Sequence, residues 1–352
     1  MRRVEIEEFL GLLGEGWPGF DVRTPAEFEK GRIPGVRNLP LFSDEERAVV
    51  GTLYKQEGRQ EAIKQGLEVV GPKMRGLVEV VEEVAGPPGQ EGQEVLVHCW
   101  RGGMRSGSVG WLLELYGYEV VSLQGGYKAF RRWVLGQLED PPPLVVLGGA
   151  TGVGKTEILE ALRELGEPVV DLEGLANHRG SAFGGLLLEE QPSQQHFENL
   201  LGMALRETRK AGRPVWVEDE SRMIGRRQVP NPVRDAMRAA QVFVVEAPLE
   251  ERLARLVEVY GEAPQEALVE AFRRIRKSLG GLRTQEAQKA VAAGDLRGAA
   301  QLALEYYDKA YAYGTSRRAP ETVHPVEGAG PAREMARRLI RLSRELFHEE
   351  LV

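Results

Sequence analysis

His98-Cys99-Trp100-Arg101-Gly102-Gly103-Met104-Arg105-Ser106 holds the one cysteine of a 352-residue chain. The apolar run Val95-Leu96-Val97 before it reads as a strand. The apolar-periodic stretch over 109–115 after it reads as a helix. A cysteine between a strand end and a helix start meets backbone N–H groups that lack helical partners. Those donors and the helix dipole favour a thiolate and any anion bonded to it. Arg101 and Arg105 add positive charge, and Gly102-Gly103 suits a loop wrapped around an anion. A cysteine with only a packing role is the plainer alternative. The glycine pair and the arginines weigh against it.

A second glycine loop lies further on. Leu144-Val145-Val146-Leu147-Gly148 reads as a strand, and Gly149-Ala150-Thr151-Gly152-Val153-Gly154-Lys155-Thr156 follows it. This fits G-x-x-x-x-G-K-[ST], with a helix expected over 157–165 and closed by Gly166. The glycines let backbone N–H groups close on phosphate oxygens, and the helix N-terminus faces the same anion. Lys155 is expected at a terminal phosphate, and Thr156 at Mg²⁺ if a metal is used. Three further apolar runs, 168–171, 215–219 and 242–246, fit buried parallel strands. Glu218 or Asp219 ends the second of them, where an acid that orients metal or water belongs. Capping of a turn is the alternative there. From about 252 onward the chain reads as mainly helical, including 302–311.

Composition sets the outer bounds. With 42% hydrophobic and 28% charged residues, the chain is an ordinary globular one. No run approaches about 18 consecutive apolar residues, so no membrane helix is expected. The opening Met1-Arg2-Arg3-Val4-Glu5 lacks an apolar signal core, and a cytoplasmic location is expected. A single cysteine excludes an intrachain disulfide and a Cys-rich zinc site. The net charge of −7 argues against a globally basic nucleic-acid binder. Local basic clusters stand out all the same: Arg273, Arg274, Arg276 and Lys277, and then Arg333, Arg337, Arg341 and Arg344 at helical spacing. Met335, Leu339, Leu342 and Leu346 form the apolar stripe opposite the second set. Both sets are candidate contacts to a nucleic-acid phosphate backbone or plain solvated faces.

Asp140-Pro141-Pro142-Pro143 marks a boundary, because proline neither continues a helix nor favours one before it. With a linker at 137–143, the expected domains are residues 1–138 and 139–352. In the first, three blocks accompany the cysteine loop: Asp21-Val22-Arg23-Thr24-Pro25, Gly31-Arg32-Ile33-Pro34-Gly35 and Gln124-Gly125-Gly126-Tyr127. Together they resemble the rhodanese family over roughly residues 4–136. The resemblance implies an α/β rhodanese fold with Cys99 carrying a chalcogen, and a structural role for the Asp-Val-Arg block. Five residues separate Cys99 from Arg105, where many sulfur-transferring rhodaneses have four. The longer spacing also occurs in cysteine phosphatases of similar fold, so phosphatase chemistry stays open for this domain taken alone. A P-loop kinase or NTPase carrying a rhodanese-like domain is the rival for the whole chain.

The order of the two domains is more restrictive than either alone. It resembles the bacterial tRNA 2-selenouridine synthase family, essentially end to end. Asp171-Leu172-Glu173-Gly174-Leu175-Ala176-Asn177-His178-Arg179-Gly180-Ser181 and Glu218-Asp219-Glu220-Ser221-Arg222-Met223 look like motifs of that family. The expected fold class is α/β: a rhodanese-like domain, then a P-loop NTPase-like parallel-sheet domain with a C-terminal helical region. The resemblance implies that wobble 2-thiouridine of tRNA is S-geranylated with geranyl diphosphate. Selenium from selenophosphate then replaces the geranylthio group. The P-loop would grip the diphosphate. Cys99 would hold selenium or attack selenophosphate directly, with Arg101 and Arg105 at the released phosphate. His178, Arg179, Asp219, Ser221 and Arg222 are substrate-ordering candidates. The expected partners are tRNA and a source of selenophosphate, with no membrane. No tightly bound cofactor is expected, and Mg²⁺ is possible through Thr156 and Asp219. The seat of the prenyl chain is unmarked: Leu186-Leu187-Leu188 is apolar, but core packing explains it equally well.

Overall fold

A computed structural model describes residues 1–89, 93–328 and 330–349. The chain divides into two compact units, Met1–Gly136 with Glu198–Leu200, and Gln137–Phe197 with Leu201–Val352. The helix Gly126–Glu139 ends where Asp140 and the three prolines begin.

The first unit carries five strands: β1 (Arg2–Val4), β2 (Gly19–Asp21), β3 (Arg37–Asn38), β4 (Glu94–His98) and β5 (Glu119–Leu123). They form one parallel sheet in the order β1-β5-β4-β2-β3. Central β4 buries Val95, Leu96 and Val97 completely, which explains an apolar run with no alternation. Phe20, Val81, Val97 and Leu113 belong to the core on one side of it. The helix after the cysteine runs over Met104–Tyr116, five residues earlier than apolar periodicity suggested. Its first turn belongs to the cysteine loop and so shows no apolar stripe. Gly117 closes it in a left-handed conformation (φ 119°), donating to the Leu113 and Glu114 carbonyls.

The second unit holds β6 (Leu144–Gly148), β7 (Val169–Val170), β8 (Val215–Glu218), β9 (Met223–Ile224), β10 (Arg227–Gln228), β11 (Gln241–Glu246) and β12 (Val323–Glu327). Strands β9 and β10 make a small antiparallel ribbon. The others form a parallel sheet in the order β12-β11-β6-β8-β7. Strand β6 lies between β8 and β11, so the chain leaves it on both sides. That places the loop after β6 at a switch point, where open parallel sheets bind ligands.

The region from about 252 is mainly helical, as expected, and within it Val323–Glu327 returns as an edge strand paired with β11. Pro325 hides it from a strand reading, yet an edge strand tolerates a missing donor. Val326 is buried against the sheet. The helices divide their work. Gln265–Arg274, Gly281–Ala292 and Leu296–Thr315 enclose a separate core with Phe183, Leu268, Phe272, Val291 and Ala303. Ala332–Glu349 instead lays Met335, Ala336 and Leu339 against the sheet core beside Leu159 and Leu162. Its stripe is the one read from the sequence.

Candidate active site

Cys99 follows directly on β4 and is nearly fully buried. Its Sγ accepts from the Gly103 backbone N–H at 3.4 Å and lies 3.3 Å from the Ser106 hydroxyl. Burial alone pushes the thiol pKa up. Hydrogen bonds from the Ser106 hydroxyl and from the backbone of Ser106, Arg101 and Gly103 outweigh it and hold the thiol below its usual value. The loop is fastened from beneath by the Gly125-Gly126-Tyr127 block. The Tyr127 N–H donates to the Cys99 carbonyl at 2.8 Å, and Lys128 N–H to Trp100 at 3.0 Å. Gly102 (φ 64°) needs to be glycine twice over, because a Cβ there would lie 2.6 Å from the Leu123 carbonyl oxygen. With the loop's carbonyls turned to that block, N–H groups are left for the sulfur.

The two arginines differ. Arg101 is exposed, whereas Arg105 is half-buried and forks onto Glu27 at 2.6 and 3.2 Å. Glu27 is itself fixed by the capping box of helix Pro25–Lys30. Burial pushes the Glu27 carboxyl up, but Arg105 and Thr24 overcome this and lower it, so the pair is ionic. Sequence reading missed Glu27, whose only mark is its place three residues after Thr24. Asp21 and Arg23 form a wholly buried fork, 2.9 Å and 2.5 Å to Oδ2, and the Arg23 guanidinium lies 3.7 Å from the Tyr127 ring centre. They brace the sheet end behind the loop. His98 is also fully buried, and burial drives its pKa down against the pull of Asp21. It is therefore neutral, and its 3.7 Å approach to Asp21 is not an ion pair.

The second unit builds its site around Gly149–Thr156. Gly149, Gly152 and Gly154 all have positive φ. A Cβ on Gly152 would lie 2.9 Å from the Arg252 carbonyl oxygen. Two arginines of helix Leu249–Tyr260 hold the loop by its carbonyls. Arg252 Nε donates to Thr151 O at 2.8 Å, and Arg255 Nη1 to Gly152 O at 2.7 Å. Arg252 also forks onto Asp308. The Tyr311 hydroxyl accepts from Gly149 N–H at 2.6 Å, and Lys155 Nζ donates to Gly149 O at 3.0 Å. Arg252 and Arg255 stand one helical turn apart after the β11 strand. That spacing was the available signal for them.

A cavity of about 880 Å³ opens over this loop. Arg179, Asp219, Ser221 and Arg222 line it with the P-loop, so four of the five substrate-ordering candidates meet there. His178 does not line it. Its ring packs against Gly185 and the Gly225 turn, and burial lowers its pKa. Asp219 gives its carboxylate to Arg318 at 2.7 Å, while Ser221 turns its hydroxyl to the Met223 carbonyl. Four further glutamates line the cavity, Glu157, Glu160, Glu173 and Glu220, and the last two are the ones whose titration it changes. Burial, and next the charge of Glu220, push Glu173 up to about 9. Burial raises Glu220 as well, against Lys155 and the Glu173 hydrogen bond. The two therefore share a proton at neutral pH, beside the positive Lys155. Glu218, fully buried behind them, is also raised by burial, and accepts from Glu173 N–H at 2.6 Å. Among the described residues no group of three or more His, Cys, Asp or Glu is set to hold a metal. Asp219 is committed to Arg318, which does not fit its expected place as a Mg²⁺ ligand.

The basic candidates are all solvent-exposed. Arg273 and Arg274 share Glu270 at 2.8 and 3.8 Å. Arg276 and Lys277 flank them across Ile275, which lines the cavity. Arg337 and Arg341 lie on the outer face of Ala332–Glu349. No helix among the described residues is long and apolar enough to cross a membrane.

Comparison with known proteins identifies the two domains. Residues 5–132 match the rhodanese-like domain, and residues 142–330 match the tRNA 2-selenouridine synthase AAA domain. A tRNA 2-selenouridine synthase of Hydrogenovibrio crunogenus is 40% identical over 306 residues, covering 81% of this chain and 82% of that protein. Those of Shewanella loihica and Marinobacter nauticus are each 36% identical, covering 91% of this chain and 93% and 94% of theirs. Identity at this level over nearly full length, with both domain matches in this order, shows that the chain belongs to the tRNA 2-selenouridine synthase family.

Proposed function

We propose that this protein converts wobble 2-thiouridine in tRNA to 2-selenouridine, with S-geranyl-2-thiouridine as the intermediate. The observation that carries the reading is the pairing, in one chain of this family, of an activated thiol loop with a phosphate-binding loop over a large cavity. In the first step the thiocarbonyl sulfur attacks C1 of geranyl diphosphate. The C–O bond breaks, diphosphate leaves, and the proton on N3 of the base is lost. Backbone N–H groups of Gly149–Thr156 with Lys155 stabilise the charge that builds on the departing diphosphate. Alkylation turns a poor leaving group into one that departs as geranylthiol.

In the second step the Cys99 thiolate attacks phosphorus of selenophosphate, and selenium leaves as hydrogen selenide. The hydrogen selenide ion adds to C2 of the base, its proton passes to N3, and geranylthiolate departs and takes a proton from water. Water then frees phosphate from Cys99. The wide Cys99–Arg105 loop suits this, since it has room for a tetrahedral anion, with Arg101 free to meet it and Arg105 braced by Glu27. Arg179 and Arg222 at the cavity order the base or the diphosphate, and exposed Arg273–Lys277 meet the tRNA backbone.

The test is direct. The purified protein is incubated with 2-thiouridine tRNA, geranyl diphosphate and selenophosphate, and the nucleosides are read by mass spectrometry. The geranylated and then the selenated nucleoside are expected. Unchanged nucleosides, with nucleotide turnover in the absence of tRNA, would replace this reading by a P-loop kinase or NTPase.

A further inference from the structure

A second, smaller cavity of about 60 Å³ lies among the C-terminal helices. Its walls are Phe183, Phe272, Val291, Ala299 and Ala303 together with neighbouring apolar side chains. Five residues face both this cavity and the large one over the P-loop: Thr151, Ser181, Leu256, Tyr260 and Tyr307. The polar groups of the small cavity lie on this shared wall. The Tyr307 hydroxyl is pinned there by the Ala182 N–H at 3.1 Å, so its ring forms the partition. Thr151 is itself a P-loop residue. An apolar hole thus lies against the phosphate-binding loop at Thr151.

We infer that this cavity receives the hydrocarbon end of a prenyl diphosphate whose diphosphate sits on Gly149–Thr156. Adjacency of the two cavities across this shared wall points to the occupant. A nucleotide on the P-loop would direct a polar ribose and base away from the phosphates, and burying them against these walls would leave their polar groups unpaired. A hydrocarbon chain needs no partners and gains from burial. Size narrows the choice further. Room for roughly four waters matches the branched end of a chain rather than a long polyprenyl tail. The first part of the chain then lies in the larger cavity, with C1 beside the diphosphate. The small residues Ala299 and Ala303 set the depth. This rests on the proposed function only for the chemical class of the donor; the location comes from the cavities.

Binding tests it separately from turnover. By calorimetry, geranyl diphosphate is expected to bind the wild-type protein at least about tenfold more tightly than inorganic diphosphate, a modest share of what burying such a chain can supply. Dimethylallyl diphosphate should fall between them, and farnesyl diphosphate should gain nothing over geranyl. Ala303→Leu is expected to cut the geranyl preference by about tenfold while inorganic diphosphate binds as before. Equal affinity of geranyl and inorganic diphosphate in the wild type overturns the assignment, even if the variant fails to fold. So does an Ala303→Leu protein with higher Tm and unchanged preference, which marks the cavity as a packing void. A protein that shows the chain-length series yet transfers no prenyl group overturns the proposed function and leaves the cavity assigned. Geranyl transfer by a protein whose chain-length preference is the same in Ala303→Leu as in the wild type does the reverse.

Discussion

At the scale of single residues, variants of Cys99 and Lys155 are expected to separate the two proposed half-reactions. Cys99→Ser is expected to abolish selenation and leave geranylation intact, so that S-geranyl-2-thiouridine accumulates in the nucleoside digest. Lys155→Ala is expected to weaken binding of geranyl diphosphate by about tenfold or more, as loss of a charge-assisted contact does, and calorimetry reads it. Ser106 acts through Cys99. Its hydroxyl is the leading hydrogen bond that lowers the thiol, so Ser106→Ala should move the thiolate titration to higher pH. The ultraviolet absorbance of the thiolate reports it cleanly, since the chain has one cysteine. A midpoint that stays put would give the effect to the backbone donors alone. Much of this chemistry was legible from residue type and spacing, because glycine pairs, a lone cysteine and a P-loop lysine advertise themselves. The partners that tune them were not. Glu27 is separated from Arg105 by 78 residues, and Arg318 from Asp219 by 99; a local reading has no access to such distances.

At the scale of elements, helix Leu249–Tyr260 holds the Gly149–Thr156 loop in shape through its carbonyls. Arg252 bonds Thr151 O and forks onto Asp308, and it is nearly buried. Arg252→Ala should lower stability by about 1–3 kcal/mol, the range for a buried hydrogen-bonded group left without its partner. It should weaken diphosphate binding in the same protein. Urea unfolding and calorimetry read the two effects, and unchanged diphosphate affinity would show that the loop keeps its shape without the arginine. The strands were legible wherever they are buried on both faces, as in β4, β6 and β8, since a continuous apolar run has few other uses. Strand β12 was not. Val323-His324-Pro325-Val326-Glu327 has one deeply buried residue and a proline, and only pairing with β11 makes it a strand. The cavity among the helices was hidden for a similar reason. Alanines at helical spacing read as tight packing until the neighbouring helices stand far enough apart to leave room.

For the whole molecule, two dependences on solution conditions follow. Glu173 titrates near 9 in the folded protein against 4.5 when unfolded, so between those values the folded state holds a proton that the unfolded state has released. Its contribution is full below the lower value and is lost as pH rises through the upper one. Glu218 and Glu220 act in the same sense. Tm should therefore fall less steeply toward pH 9 in Glu173→Gln than in the wild type, and parallel curves would contradict the shared proton. Binding of tRNA should weaken with salt, and neutralising Arg273, Arg274, Arg276 and Lys277 should flatten the slope by about 0.9 per lost phosphate contact. The same change at Arg337 and Arg341 shows whether the outer helix face shares in that footprint. Order of synthesis adds a last consequence. The phosphate loop ends at Thr156, but β12 and the helix that covers Lys155–Glu164 are made only after residue 322. Once β11 is complete at Glu246, the chain up to Glu327 must still be made before β12 can pair with it. At the usual pace of a ribosome that leaves the sheet one strand short, with the edge of β11 open to any other strand and one side of the phosphate-loop helix uncovered, for about four to sixteen seconds.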